Sequence, residues 1–195
     1  RISLKKEIAP SSIPAFQQDN IRLAHTAAEA LGDLGFPKAP EQFQAALDSW
    51  TWPGRYQFYP ASPSILLDGA HNPHAMEKLF GAINADPRFS DTPIHTLFSA
   101  INTKESTALV EIVQRYSTSV VACPSSVGRS LSIAELEDLF EQEGSVQPGP
   151  EEALEEAKIR AAESGGIILV TGSLFLVADV LFLLEPQKRD PAIAS

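Results

Sequence analysis

"ILLDGAHNPHAMEKL", residues 65–79, sets a short apolar run directly against a helical pattern. Ile65-Leu66-Leu67 has no polar alternation, the mark of a strand covered on both faces. The run stops at Asp68, and Gly69, Ala70, His71 and Asn72 form a turn. Apolar spacing from Pro73 to Ala85 then predicts a helix over 73–85, with Asn72 as N-cap and Pro73 at its first position, where a missing N–H costs nothing. The unit is strand, turn, helix.

The same unit recurs downstream. Apolar runs predict strands at 64–68, 94–100, 119–123 and 166–172, and amphipathic spacing predicts helices at 106–116, 132–143 and 150–164. Ser132 and Glu135 have capping-box spacing, and Glu151 and Glu152 suit a helix N-terminus. Residues 173–184 read as an unusually apolar helix. Short buried strands alternating with helices specify an α/β fold. The expectation is a Rossmann-like, doubly wound, mostly parallel sheet with helices on both faces.

Upstream the pattern differs. Residues 1–15 read as loop, and apolar positions from Ile21 to Leu34 predict a helix over 19–34 that Gly35 stops. A second short helix is expected within 40–50. "WTWPGRYQFYPASPS", residues 50–64, holds three prolines and a glycine and reads as a linker or junction. The tail from Pro186 is polar and expected to fray. Two domains are therefore expected, 1–50 and 51–195. Opening on Arg1 rather than Met, the chain is expected to be a piece of a longer protein.

Composition narrows the class. The 195 residues are 44% hydrophobic and 21% charged, as in ordinary globular proteins, and no apolar run has the length of a bilayer span. The formal charge of −10, without a basic block, argues against nucleic acid, and a membrane partner is not expected. The single cysteine forbids an internal disulfide and fits a reducing, cytoplasmic setting.

Chemistry concentrates in two strand-to-helix turns, "LLDGAHNP" and "LVTGSL". In doubly wound sheets ligands bind at the carboxyl ends of strands. A carboxylate there costs desolvation unless paired, and a histidine serves as donor, ligand or base near neutral pH. Asp68 and His71 are thus site candidates facing a cleft, expected to tolerate substitution without unfolding. Asn72 alone, or Ser173 alone, would be only a helix cap. No G-x-x-x-x-G-K-[ST] loop, G-x-G-x-x-G turn, zinc-spaced Cys/His cluster or G-x-S-x-G elbow occurs.

"WPGR" (52–55), "LLDGAHNPHA" (66–75) and "VTGSLFLVADV" (170–180), in this order and spacing, resemble the C-terminal part of the folylpolyglutamate synthase family, including its bifunctional dihydrofolate synthase form, within the Mur ligase superfamily. "FQQDNIRLA" (16–24) resembles the segment that ends that family's central ATPase domain. The resemblance implies an ATP-dependent amide ligase. A folate carboxylate is phosphorylated to an acyl phosphate, which the amine of L-glutamate attacks. It implies Asn20, Arg55 and Asp68 at the nucleotide, His71 and Ser173 as catalytic residues beside the reacting centre and the glutamate, and Lys104 and Arg129 as further substrate contacts. ATP and Mg²⁺ are the implied cofactors, with the metal ligands and Walker loop in a missing upstream domain. The implied parent is monomeric, and the piece alone inactive.

This sequence departs from the family's pattern at two points. Phe16 stands where the family has His, and Asn102-Thr103-Lys104-Glu105 replaces "DKD", keeping only the lysine and the second acid. Two alternatives stay open: a stand-alone nucleotide- or anion-binding module, and a Mur ligase with another substrate.

Overall fold

The computed structural model describes residues 14–36, 52–101, 104–127, 129–141 and 144–186. The chain divides into two compact units, Arg1–Trp52 and Pro53–Ser195. The expected helix within 40–50, the loop through residue 13 and the tail beyond 186 lie outside the described residues.

In the first unit, helix α1 spans Ala15–Asp33. It starts at Ala15, four residues before the predicted start at 19, because Pro14 fixes the entry and its carbonyl accepts the Gln17 and Gln18 amides at 2.9 and 3.0 Å. It ends as predicted. Leu34 closes the last turn, and Gly35 takes a φ of 92° that a side chain would disfavour.

The second unit is a six-stranded sheet flanked by helices. In chain order it contains β1 (Gln57–Tyr59), β2 (Ile65–Leu67), α2 (Pro73–Ala85), β3 (Ile94–Phe98), α3 (Ser106–Tyr116), β4 (Ser119–Ala122), α4 (Ile133–Phe140), β5 (Ser145–Val146), α5 (Pro150–Ser164), β6 (Ile167–Thr171) and α6 (Leu174–Leu184). The strand order is β1-β2-β6-β3-β4-β5, parallel throughout except for β1. The register pairs Leu67 with Val170 and Leu97 with Val170, so β6 is the central strand between β2 and β3.

Alternation along the strands sorts side chains between two layers. Ile65, Leu67, Leu97, Val121, Ile168 and Val170 join one buried cluster with Ala153, Leu154, Ala157 and Ala161 of α5 and Leu176, Val177 and Val180 of α6. Alanines at every fourth position let α5 approach the sheet closely. On the opposite face Phe98 meets Phe140 of α4 edge-on at 6.0 Å, and Phe80 of α2 stacks on Tyr116 of α3 at 5.0 Å. Each fully buried leucine, such as Leu66 or Leu79, contributes roughly 1.5–3 kcal/mol. The fold is the expected Rossmann-like one.

The helix starts follow their caps. The Asn72 side chain accepts the Ala75 amide at 2.9 Å with Pro73 at the first position, and Ser132 and Glu135 complete the capping box. Helix α4 is shorter than expected. It stops at Phe140 because Glu141 turns left-handed, with φ 45°.

Three elements correct the sequence reading. The stretch taken as a junction contains β1, paired antiparallel to β2 with Phe58 opposite Leu66. Its alternation is only three residues long and hidden between prolines, which an edge strand tolerates. A 3₁₀ turn at Pro87–Phe89 and the two-residue β5 were too short to leave a periodic signal. Helix α6 is as apolar as expected and leaves Leu174, Phe175 and Leu183 exposed, since only one stripe of it meets the sheet.

His95 enters β3 at the end opposite the strand-to-helix turns. Its buried ring bonds the Ser119 and Ser164 hydroxyls at 2.8 and 2.7 Å. Desolvation, then the Arg160 charge, holds its pKa below the usual 6.5. A depressed pKa contributes stability that is present above the unfolded value and lost as pH falls through the folded one. Melting temperature should therefore drop more steeply in wild type than in His95→Gln as pH is lowered below 6.5. Parallel profiles would contradict this role.

Candidate active site

Strands β2 and β3 lead into helices on one face of the sheet, whereas β6, lying between them, leads into α6 on the other. Adjacent strands that depart to opposite faces open a crevice at their carboxyl ends. The two turns singled out by sequence, 68–72 and 172–173, follow β2 and β6 and so flank this crevice.

Backbone bonds join the turns. The Asp68 amide donates to the Val170 carbonyl at 3.0 Å, and the Gly172 amide to the Ala70 carbonyl at 2.9 Å. The turn that carries Arg55 joins them, because the Gly69 amide donates to the Gly54 carbonyl at 2.9 Å. Helix α6 packs closely on both turns. A Cβ on Gly69 would fall 2.1 Å from Leu174 Cδ2, and one on Gly54 would fall 2.7 Å from Val177 Cγ1.

Asp68 ties the turns together. It is only 4% exposed, and Oδ2 accepts the Tyr56 amide and Oδ1 the Ala70 amide, each at 2.9 Å. Both oxygens accept, the pattern of an ionised carboxylate. Burial pushes its pKa above the usual 3.8, against the two amides and the charges of Arg55 and His71. The expectation that the Asp68 side chain faces an open cleft is therefore corrected. Its carboxylate sits inside, where it fixes the backbone on either side of Arg55 and His71.

His71 lies at the surface. Its Nδ1 is 2.9 Å from the Gly69 carbonyl. A carbonyl only accepts, so Nδ1 carries a proton, and in the neutral ring Nε2 presents a lone pair. Ser173 is 3% exposed and caps α6, accepting the Phe175 amide at 3.1 Å. That bond uses a lone pair of Oγ and leaves its O–H as a donor.

The remaining candidates are placed differently. Arg55 is half-buried, while Lys104 and Arg129 are exposed in the loops after β3 and β4. None of the three forms a hydrogen bond or ion pair among the described residues. Asn20 belongs to the first unit, where it is exposed on α1 and its amide reaches Gln17 at 3.4 Å. Phe16 is half-buried on the same helix. The second unit thus brings Arg55, Asp68, His71 and Ser173 onto one bonded set of turns.

Sequence reasoning missed Tyr56, whose amide completes the Asp68 lock. It holds φ 49°, and its hydroxyl donates to Asp86 at 3.2 Å. Burial, then Asp86, pushes its pKa well above the usual 10.0. The Pro-Gly turn just before it was the available signal.

Known proteins share this fold. The Mur ligase, glutamate ligase domain family matches residues 54–174. A dihydrofolate synthase/folylpolyglutamate synthase of Bacillus subtilis is 27% identical over 177 residues, 90% of this chain and 40% of the relative. A folylpolyglutamate synthase of Lacticaseibacillus casei is 28% identical over 167 residues, 85% of this chain and 37% of the relative. Among solved structures, E. coli FolC in complex with DHPP and ADP superposes with a TM-score of 0.75 at 22% identity, over 95% of this chain and 42% of that one. A bifunctional folylpolyglutamate synthase/dihydrofolate synthase with Mn, AMPPNP and L-glutamate bound gives 0.71 at 22% identity, over 91% and 41%. The chain spans about two fifths of the length of these relatives. It belongs to the Mur ligase, glutamate ligase domain family, and the curated relatives it matches are dihydrofolate and folylpolyglutamate synthases.

Proposed function

We propose that this chain is the glutamate-ligase portion of a longer ATP-dependent amide ligase that adds L-glutamate to a folate. The observation that carries the reading is the joining of the Arg55, Asp68–Asn72 and Gly172–Ser173 turns by backbone bonds at the sheet's crevice. In this reading residues 1–50 are the end of a central ATP-binding domain plus a linker, and 51–195 form the glutamate-ligase domain.

The chemistry is the one that the resemblance to the ligase family implies. A folate carboxylate oxygen attacks the γ-phosphorus of ATP, and ADP leaves with the electron pair of the broken P–O bond. The glutamate amine, freed of a proton, attacks the acyl phosphate carbon, and phosphate departs from the tetrahedral intermediate. Nε2 of His71 is suited to take that proton, because its partner nitrogen is held protonated by the Gly69 carbonyl. The Ser173 O–H is suited to donate to the oxyanion or to a glutamate carboxylate. Arg55, and Asp68 through its remaining lone pairs, serve the nucleotide, as does Asn20. Lys104 and Arg129 serve the glutamate carboxylates.

Mg²⁺ would accompany ATP, yet among the described residues no three His, Cys, Asp or Glu side chains lie together to hold a metal. Its ligands are assigned to the rest of the ligase. We place the protein in the cytoplasm as a monomer acting on small molecules. That setting is supported by the free Cys123, whose thiol burial pushes up to about 12. Among the described residues no helix is long and apolar enough to cross a membrane.

Calorimetry on the isolated 195-residue chain tests the division of labour. ATP should bind in the high micromolar range or weaker, with no glutamate-dependent release of ADP. Tight binding or turnover by this chain alone would overturn it.

A further inference from the structure

The loop from Cys123 to Leu131, between β4 and α4, carries Arg129 and is held on two sides. Its inner side is fastened to the end of β3. The Cys123 amide donates to the Phe98 carbonyl at 3.0 Å and the Leu131 amide to the Ala100 carbonyl at 2.9 Å. The Ser130 hydroxyl lies 3.0 Å from that of Ser99 and accepts the Ser125 amide at 2.9 Å. Its tip is fastened to α6, on the other face of the sheet. One carboxylate oxygen of Asp179 accepts the Ser126 amide at 2.9 Å, and the other accepts the Ser126 hydroxyl at 2.5 Å. Arg129 lies between the two fastenings, next to Ser130.

We propose that Asp179 is a positioning residue, holding Ser126 so that Arg129 is presented to a carboxylate of the incoming L-glutamate. The proposal rests on the reading of Arg129 as a glutamate contact. With Ser126 and Ser130 held on either side of it, Arg129 has less freedom to lose when the ligand arrives, so more of the guanidinium–carboxylate attraction appears as affinity. Asp179 also sits on the helix that Ser173 caps. The loop bearing the cation and the turn bearing the hydroxyl thus share one support. Asparagine could keep both bonds, its oxygen accepting the Ser126 amide and its nitrogen donating to the Ser126 hydroxyl, so the support is removed with Asp179→Ala.

The test uses the full-length ligase with ATP and tetrahydrofolate, varying L-glutamate. Asp179→Ala should raise the KM for L-glutamate about five-fold, the scale of an exposed charge-assisted contact, with kcat and the KM for ATP unchanged. Ser126→Ala removes only the hydroxyl bond from an exposed residue and should move the same constant in the same direction by less. In an Arg129→Ala background Asp179→Ala should add nothing, because the group it positions is gone. An unchanged glutamate KM in both Asp179→Ala and Ser126→Ala overturns the proposal, as does the same fold-change with and without Arg129. A wild-type glutamate KM in Arg129→Ala alone overturns instead the assignment of Arg129, and the positioning role with it.

Discussion

Replacing Gly172 by alanine is expected to destabilise the unit from Pro53 to Ser195 by about 3 kcal/mol. Two causes add. Gly172 holds φ 93°, a conformation that L side chains rarely adopt, and its Cβ would fall 2.2 Å from the Ser99 carbonyl oxygen and 2.6 Å from the Phe98 ring. The oxygen is backbone and cannot swing away, since β3 is paired to β6 along its whole length. Gly165 separates the causes. It has φ 70° with nothing within 4 Å of an added Cβ, so Gly165→Ala should cost only the backbone strain, about 1 kcal/mol. Urea unfolding of both variants measures the difference. Equal shifts would mean that the turn after β6 is not tightly packed against β3.

Asp68→Ala is expected to remove roughly 2–4 kcal/mol of stability, because two buried amides, those of Tyr56 and Ala70, lose their acceptor together. Tyr56 sits at φ 49° and is held there partly by this bond, so the turn bearing Arg55 should loosen as well. In the full-length ligase the same change should raise the KM for ATP ten- to a hundred-fold, through the lost nucleotide contact and the displaced arginine. The pH dependence has a definite sign. Because burial raises the Asp68 pKa, the stability linked to its protonation is fully present below the usual 3.8 and is lost as pH rises through the raised value. The wild-type profile should show that loss and Asp68→Ala should not. A variant with wild-type melting and weakened ATP would mean that the carboxylate serves only the nucleotide.

Much of the fold was legible because local signals and packing agree. Pro73 and Pro150 mark first helical positions, Asn72 and Ser132 cap, and the helices at 73–85, 106–116 and 150–164 run between the residues their patterns indicate. Legibility failed where structure depends on distant partners. Strand β1 exists because β2 offers it an edge, and nothing local to "YQFY" distinguishes it from a linker. The site was half legible. Strand-end position singled out Asp68, His71 and Ser173 as candidates, but the amide that anchors Asp68 comes from Tyr56, twelve residues earlier, in that same stretch. The Asp179–Ser126 bond spans 53 residues and leaves no sequence pattern at all.

The central claim is that the turn after β2 serves glutamate transfer through His71 rather than merely starting a helix. His71 is exposed, and its one bond among the described residues is to Gly69 two positions away, so His71→Ala should leave the melting temperature nearly unchanged. The deciding measurement is glutamate-dependent ADP release by the full-length ligase carrying this substitution, with tetrahydrofolate as acceptor. The account predicts kcat/KM for L-glutamate lowered ten- to a hundred-fold, about 1.5–3 kcal/mol of lost transition-state stabilisation, with the KM for ATP little changed. A wild-type kcat/KM for L-glutamate in a folded His71→Ala enzyme would contradict it.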